Sequence, residues 1–205
     1  MQTLAVLPVK RFDDAKHRLG AALGRGSRRA LAQAMFTDVI AALRRSRRID
    51  VIAIVTADPA VEAAARSDRM LVLRDPAERG QSTAAARGVE HAVASGFDRV
   101  VLVASDTPLL EPAELDRLLD GSEAEAAVTI VPDRHGTGTN ALVLCPPRAI
   151  APAFGPDSRA RHEAAARAAQ VPHRVAALES LGHDVDTPED LDALAAVLDR
   201  RRGLA

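Results

Sequence analysis

Asp106 closes the run Val100-Val101-Leu102-Val103-Ala104-Ser105-Asp106-Thr107-Pro108, in which apolar residues deliver one carboxylate to the end of a buried strand. A carboxylate placed there can hold Mg²⁺, whose usual partners are one or two carboxylates plus substrate phosphates. Asp-x-Pro is also a common turn, so the position needs a partner before it means metal. Gly182-His183-Asp184-Val185-Asp186-Thr187-Pro188 offers one. Asp184 and Asp186 alternate around an apolar residue and share one face of an extended chain. Asp186 would supply the second metal contact and Asp184 an outer role, or the reverse. Phosphatases with an aspartyl nucleophile also carry an Asp-x-Asp pair, but there it follows the first strand, whereas here it follows residue 183 of 205.

Anion-binding groups flank these carboxylates. Lys10, Lys16 and Arg18 follow the first apolar run and could gather a triphosphate, neutralising charge on a leaving pyrophosphate. The chain holds only two lysines against 25 arginines, so Lys10 and Lys16 stand out from a background that uses guanidinium wherever charge alone suffices. The only asparagine, Asn140, ends Gly136-Thr137-Gly138-Thr139-Asn140, and Phe154-Gly155-Pro156-Asp157-Ser158 follows the next strand. Glycine amides, the Thr139 and Ser158 hydroxyls and Asn140 make a second anion site for a substrate, and Ser158 could cap the helix behind it. Gly80, Gln81 and Ser82 open a further helix and could read a nucleobase. There is no G-x-x-x-x-G-K-[ST] loop and no G-x-G-x-x-G after the first strand, which excludes a P-loop ATPase and argues against a dinucleotide dehydrogenase.

These groups need a scaffold. Apolar runs at Thr3–Leu7, Val51–Thr56, Met70–Leu73, Val100–Ala104, Ala127–Val131 and Asn140–Cys145 read as strands, several too continuously apolar for a sheet with a wet face. Helical spacing fills Ser27–Arg45, Pro59–Arg66, Ser82–Ser95, Pro112–Leu119 and Ser158–Ala169. Thr187 caps a last helix, with Pro188, Glu189 and Asp190 in its first turn. The alternation predicts a mostly parallel, doubly wound α/β sheet in three layers, one domain over residues 1–205. In such sheets ligands bind at the carboxyl ends of the strands.

Composition narrows the partners. A formal net charge of -1 points to neither nucleic acid nor a membrane surface. The first 48 residues carry 11 Lys or Arg against 3 Asp or Glu, which suits a phosphate-rich small ligand. Cys145 is the single cysteine and lies within a strand run. The first residues read as a strand, not a signal peptide, and no apolar run nears the ~20 residues of a membrane span. A soluble, cytoplasmic protein is expected, and the Ala-rich helices leave a homodimer open.

The clusters, in this order and over nearly the whole chain, resemble the guanylyltransferases of coenzyme F420 biosynthesis that act on 2-phospho-L-lactate or phosphoenolpyruvate. The resemblance runs through Leu7-Pro8-Val9-Lys10, Asp106-Thr107-Pro108, Asp133-Arg134-His135-Gly136-Thr137-Gly138-Thr139-Asn140, Phe154-Gly155-Pro156-Asp157-Ser158 and Asp184-Val185-Asp186-Thr187-Pro188. It implies a Rossmann-like, GT-A-like nucleotidyltransferase fold and a GTP- and Mg²⁺-dependent reaction. Thr139, Gly155 and Ser158 would bind the phosphorylated acid, Asp106 and Asp186 the metal, and Lys10, Lys16 and Arg18 the GTP phosphates. Thr107 stands where the family often has Leu, and Gly80-Gln81-Ser82 differs from the Gly-Leu-Asn of archaeal members. Phosphoenolpyruvate, 2-phospho-L-lactate and 3-phosphoglycerate all remain open as acceptors. A cytidylyl- or molybdopterin-type nucleotidyltransferase is the nearest alternative within enzymes, though the glycine-rich loop those carry after strand one is missing. A nucleotide-sensing module without catalysis is the alternative outside them.

Overall fold

The apolar runs pair into one seven-stranded sheet. A computed structural model describes residues 1–65, 69–75, 77–121 and 127–203. The strands are β1 (Thr3–Val9), β2 (Val51–Thr56), β3 (Met70–Arg74), β4 (Arg99–Val103), β5 (Ala127–Val131), β6 (Ala141–Cys145) and β7 (His173–Val175). The helices are α1 (Arg25–Arg45), α2 (Pro59–Ala64), α3 (Gln81–Ala94), α4 (Pro112–Asp120), α5 (Ser158–Ala168) and α6 (Pro188–Gly203). The helix expected at Pro59–Arg66 stops at Ala64, and Arg66 lies outside the described residues.

The strand order is β3-β2-β1-β4-β6-β5-β7, and only the pairings of β6 with β4 and β5 are antiparallel. The carboxyl ends of β1, β2, β3 and β4 therefore share one edge of the sheet. Because β6 runs backwards, its start joins that edge: Val103 of β4 lies opposite Ala141. The loop before β6, with Thr139 and Asn140, thus sits beside the loop after β4, with Asp106.

Strand residues alternate strictly between two cores. Ala5, Leu7, Ile52, Ile54, Val101 and Val103 face α1, α2 and α4, whereas Leu4, Val6, Ala53, Val55, Val100 and Leu102 face α3 and α5. Both faces are covered, which is why the runs read as continuously apolar. A third, smaller cluster packs α6 (Leu194, Val197) against Leu19, Met35 and Val185, seating the last helix beside the N-terminal loop.

β1 runs two residues further than its apolar run suggested, through Pro8 and Val9. Pro8 and Val9 still pair with Val55 and Thr56 of β2, but β1–β4 pairing ends at Val6, so the missing Pro8 N–H falls where β4 has left the ladder. β7 was not expected at all. It is three residues, two of them His173 and Arg174, at the sheet edge beside β5, and such short polar edge strands carry no periodic signal.

One glycine sets the distance between α3 and the sheet. A Cβ on Gly88 would lie 2.3 Å from Cγ1 and 2.8 Å from Cγ2 of Val6, which is fully buried in β1. Gly88→Ala is expected to destabilise the fold by about 2 kcal/mol, overpacking outweighing the ~1 kcal/mol helix-propensity gain. The urea midpoint reads this, and a variant as stable as the parent would show that α3 can slide.

Candidate active site

The loop after β1 is tied down before it presents its lysines. Phe12 is buried with its ring 5.8 Å from that of Phe36 on α1, edge to face. Asp58, at the cap of α2, accepts a hydrogen bond from the Phe12 amide at 2.9 Å with one oxygen and from the Ala60 amide at 2.8 Å with the other. Past this anchor the chain turns through Lys16 in the left-handed region, φ 58° and ψ 39°, which a bulky residue seldom occupies.

That turn sends Lys16 into the sheet edge, not outward. Its ammonium donates to Oδ2 of Asp106 and, at 2.9 Å, to Oδ1 of Asp186. The side chain is only 7 % exposed. Burial alone would lower its pKa, but the two carboxylates outweigh burial and hold it above the ordinary lysine value. Residues 16, 106 and 186 therefore meet at one point, and the two carboxylates face the same cation. Lys16 was expected on triphosphate; here its contacts are the two carboxylates.

Asp186 is positioned by the start of α6. Asp190 accepts from the Asp186 amide at 2.9 Å, the Thr187 amide at 2.7 Å and the Thr187 hydroxyl at 3.0 Å, while Thr187 Oγ1 accepts from the Asp190 amide at 3.3 Å. This is a reciprocal cap with Asp in the third helical position. Arg134 grips the other Asp190 oxygen at 2.9 Å. Burial would raise the Asp190 pKa, yet these amides and the guanidinium keep it below the usual range. Arg134 was not singled out from sequence, and Asp190 was placed only in the first turn of the last helix, although three residues after Thr187 is a capping spacing.

Asp184 does not join Lys16. It accepts from the Asn140 amide at 3.0 Å, and Asn140 also donates to the Leu181 carbonyl at 2.7 Å. Both amide protons of Asn140 are thus spent on holding the loop before α6 to the start of β6. Burial, with help from the Asp106 charge, pushes Asp184 up to about 6 against the opposing Asn140 bond. Of the two expected metal candidates in this segment, Asp186 is the one aligned with Asp106.

A cavity of about 590 Å³ opens beside this centre, enough for a nucleotide. Lys10, Lys16, Arg18, Gly80, Gln81, Asp106 and Asp186 all line it. Lys10 and Arg18 are exposed and have no ion-pair partner among the described residues. Ser82 is not in the lining; its hydroxyl donates to the Phe154 carbonyl at 3.3 Å, tying α3 to the loop before α5.

The second anion cluster is built on the start of α5. The helix cap is Asp157, in the left-handed region at φ 53° with no side-chain bond, so Ser158 is the first helical residue and not the cap. Gly155 has φ 111°, a conformation open to glycine and strained for other residues, and Ser158 N–H donates to its carbonyl at 3.1 Å. The Arg159 amide reaches the Thr137 carbonyl at 3.1 Å, which brings the loop before β6 against the helix start. Thr139, 6 % exposed, lies 3.1 Å through Oγ1 from Nδ1 of His162, itself fully buried one turn beyond Ser158. Thr139 meets α5 through His162 and Ser158 meets Gly155 through its carbonyl, but none of Thr139, Gly155 and Ser158 lines the 590 Å³ cavity.

The donor set fits a hard divalent cation. Two carboxylate oxygens converge on one point occupied by an ammonium charge, and hard oxygen donors of this kind suit such an ion. No group of three or more His, Cys, Asp or Glu gathers among the described residues, so such an ion would depend on substrate oxygens to complete its shell. No described helix is long and apolar enough to cross a membrane.

Residues 3–197 match the family model described as guanylyl transferase CofC like. The chain is 50% identical over 204 residues to a phosphoenolpyruvate guanylyltransferase of Conexibacter woesei, covering 99% of this chain and 92% of that one. It is 36% identical over 191 residues to a 2-phospho-L-lactate guanylyltransferase of Methanothermobacter thermautotrophicus, covering 93% and 83%. Its fold is like that of a solved nucleotidyl transferase from Methanothermobacter thermautotrophicus, with a TM-score of 0.68 at 17% identity over 98% of this chain and 99% of that one.

Proposed function

The chain belongs to the CofC-like guanylyl transferase family, and from that premise we propose that it transfers GMP from GTP to the phosphate of phosphoenolpyruvate, releasing pyrophosphate, in coenzyme F420 biosynthesis. The observation that carries this reading is the meeting of Asp106, Asp186 and Lys16 on the wall of a cavity also lined by Lys10 and Arg18. The choice of acid rests on the 50% identical relative, which bears that name.

Asp106 and Asp186 would hold Mg²⁺, which when bound supplies charge neutralisation at the nucleotide phosphates. The chain's own groups do the rest. Lys10 and Arg18, free of carboxylate partners among the described residues, face the cavity and counter the charge that grows on the leaving pyrophosphate. Gly80 and Gln81, at the start of α3, also line the cavity and would contact the base. Thr139, Gly155 and Ser158 hold the acid, with the amino end of α5 favouring its negative charge. An oxygen of the acid's phosphate forms a bond to the α-phosphorus of GTP as the bond to the bridging β-phosphate oxygen breaks. The nucleophile is already anionic, so no general base is required, and catalysis is positioning plus charge neutralisation.

A second acceptor is favoured by a specific observation: the 36% identical relative is named for 2-phospho-L-lactate. Purified protein with GTP, Mg²⁺ and phosphoenolpyruvate, 2-phospho-L-lactate or 3-phosphoglycerate in turn separates them by product mass. A guanylylated phosphoenolpyruvate with equimolar pyrophosphate is the expected result. Product from 2-phospho-L-lactate alone would move the acceptor, and no product from any acid would remove guanylyl transfer.

A further inference from the structure

His162 is buried to 0 % exposure and uses both ring nitrogens. Nε2 lies 2.8 Å from the backbone amide of Ala153, and Nδ1 lies 3.1 Å from the hydroxyl of Thr139. A backbone N–H can only donate, so Nε2 must be the unprotonated, accepting nitrogen. In the neutral ring the proton is then on Nδ1, and Nδ1–H donates to Thr139 Oγ1. The neutral form is secured by burial and, secondarily, by the positive charge of Arg161, which together lower the His162 pKa to about 4. The Phe154 ring, 5.3 Å away and edge to face, fixes the imidazole plane.

The consequence falls on Thr139. A hydroxyl that already accepts from His162 has its own proton left to give, and no acceptor for that proton is found among the described residues. His162 and Ser158 are four residues apart on α5 and so share a helix face, with the Gly155 turn just before them. On the proposed function, this is where the phosphorylated acid lies.

We propose that His162 is a positioning residue that sets Thr139 as an obligate hydrogen-bond donor toward an anionic group of the acceptor acid. The chain Ala153 N–H to His162 to Thr139 has one direction only, fixed at its first link by a backbone amide. A threonine oriented this way offers its proton to a carboxylate or phosphate oxygen, and the bond from His162 leaves its oxygen one lone pair fewer for a competing donor. Selectivity for the fully ionised acid thus begins at a residue that never touches it.

Two measurements test this. Ring ¹⁵N NMR of the unliganded protein should place the proton of His162 on Nδ1, with Nε2 at the shift of an unprotonated nitrogen; the opposite tautomer, or a charged ring at pH 7.5, overturns the inference. Steady-state kinetics with phosphoenolpyruvate and GTP provide the second, on H162F, T139V and the double variant. H162F, which keeps the ring contact with Phe154, should raise KM for the acid roughly 10-fold and leave KM for GTP within a factor of two. The double variant should be no worse than T139V alone. Additive effects, or equal shifts in both KM values, would make His162 merely structural. Should H162F not fold, the tautomer decides alone. A wild-type protein inactive with every acid counts against the proposed acceptor, while the tautomer still decides the direction of the relay.

Discussion

Asp106→Asn will lower kcat for guanylyl transfer by about a thousandfold while leaving the far-UV circular dichroism unchanged. Asp106 stands just beyond β4 and, with Asp186, faces a single cationic point. An amide is isosteric, so packing around β4 is kept, but it cannot supply the charge that binds a divalent ion. The loss of several kcal/mol of transition-state stabilisation by a metal corresponds to that factor. In equilibrium titration Mg²⁺ is expected to raise the GTP affinity of the parent and not that of the variant. Full turnover at saturating Mg²⁺ would show that the carboxylate is not a ligand.

Lys16→Met tests the same centre from the opposite sign. With the ammonium gone, two carboxylates face each other across the point it held, and the left-handed turn at residue 16 loses its side-chain anchor. We expect kcat to fall about 100-fold or more. Removing one partner from a buried ion pair can cost ~3–5 kcal/mol, but Asp106 and Asp186 are 23% and 47% exposed, so solvent screens much of it. A loss of about 1–2 kcal/mol, or roughly 3–6 °C in melting temperature, is the expected size in EDTA. Mg²⁺ should then raise the melting temperature of the variant more than that of the wild type, because a divalent ion replaces the missing charge. Melting curves that coincide in both buffers would deny Lys16 any part in holding the carboxylates together.

The scaffold was largely legible in the sequence. β2 and β5 begin and end where their apolar runs do, and the last helix starts at Pro188 behind a Thr187 cap as expected. Local signals sufficed there, because an apolar run covered on both faces and a capped first turn are properties of neighbouring residues. β7 was missed for the converse reason: His173–Val175 gains its strand identity only by pairing with Val128–Ile130.

The site was legible in its residue types more than in its contacts. Lys10, Lys16, Arg18, Gly80, Gln81, Asp106 and Asp186 do line one cavity. Yet the contacts of Lys16 with Asp106 and Asp186 span 90 and 170 residues, and no spacing rule reaches that far. Asn140 was read as a substrate group because it is the only asparagine; its amide is consumed by Asp184 and Leu181. His162 passed unnoticed as a functional residue, since a histidine inside an Ala-rich helix looks ordinary until Thr139 is placed against it.

The centre assembled from positions 16, 106 and 186 also bears on how the chain matures. Contacts between such distant positions require long loops to close before the contacts reward the chain, and the contact with Asp186 closes the longest of them. A chain with β1 paired to β4 but without the seated α6 cap would present Asp106 to Lys16 and lack Asp186. Such a species would lack half of the carboxylate pair proposed to hold the metal, so recovery of turnover after denaturation is expected to follow, not precede, the seating of α6.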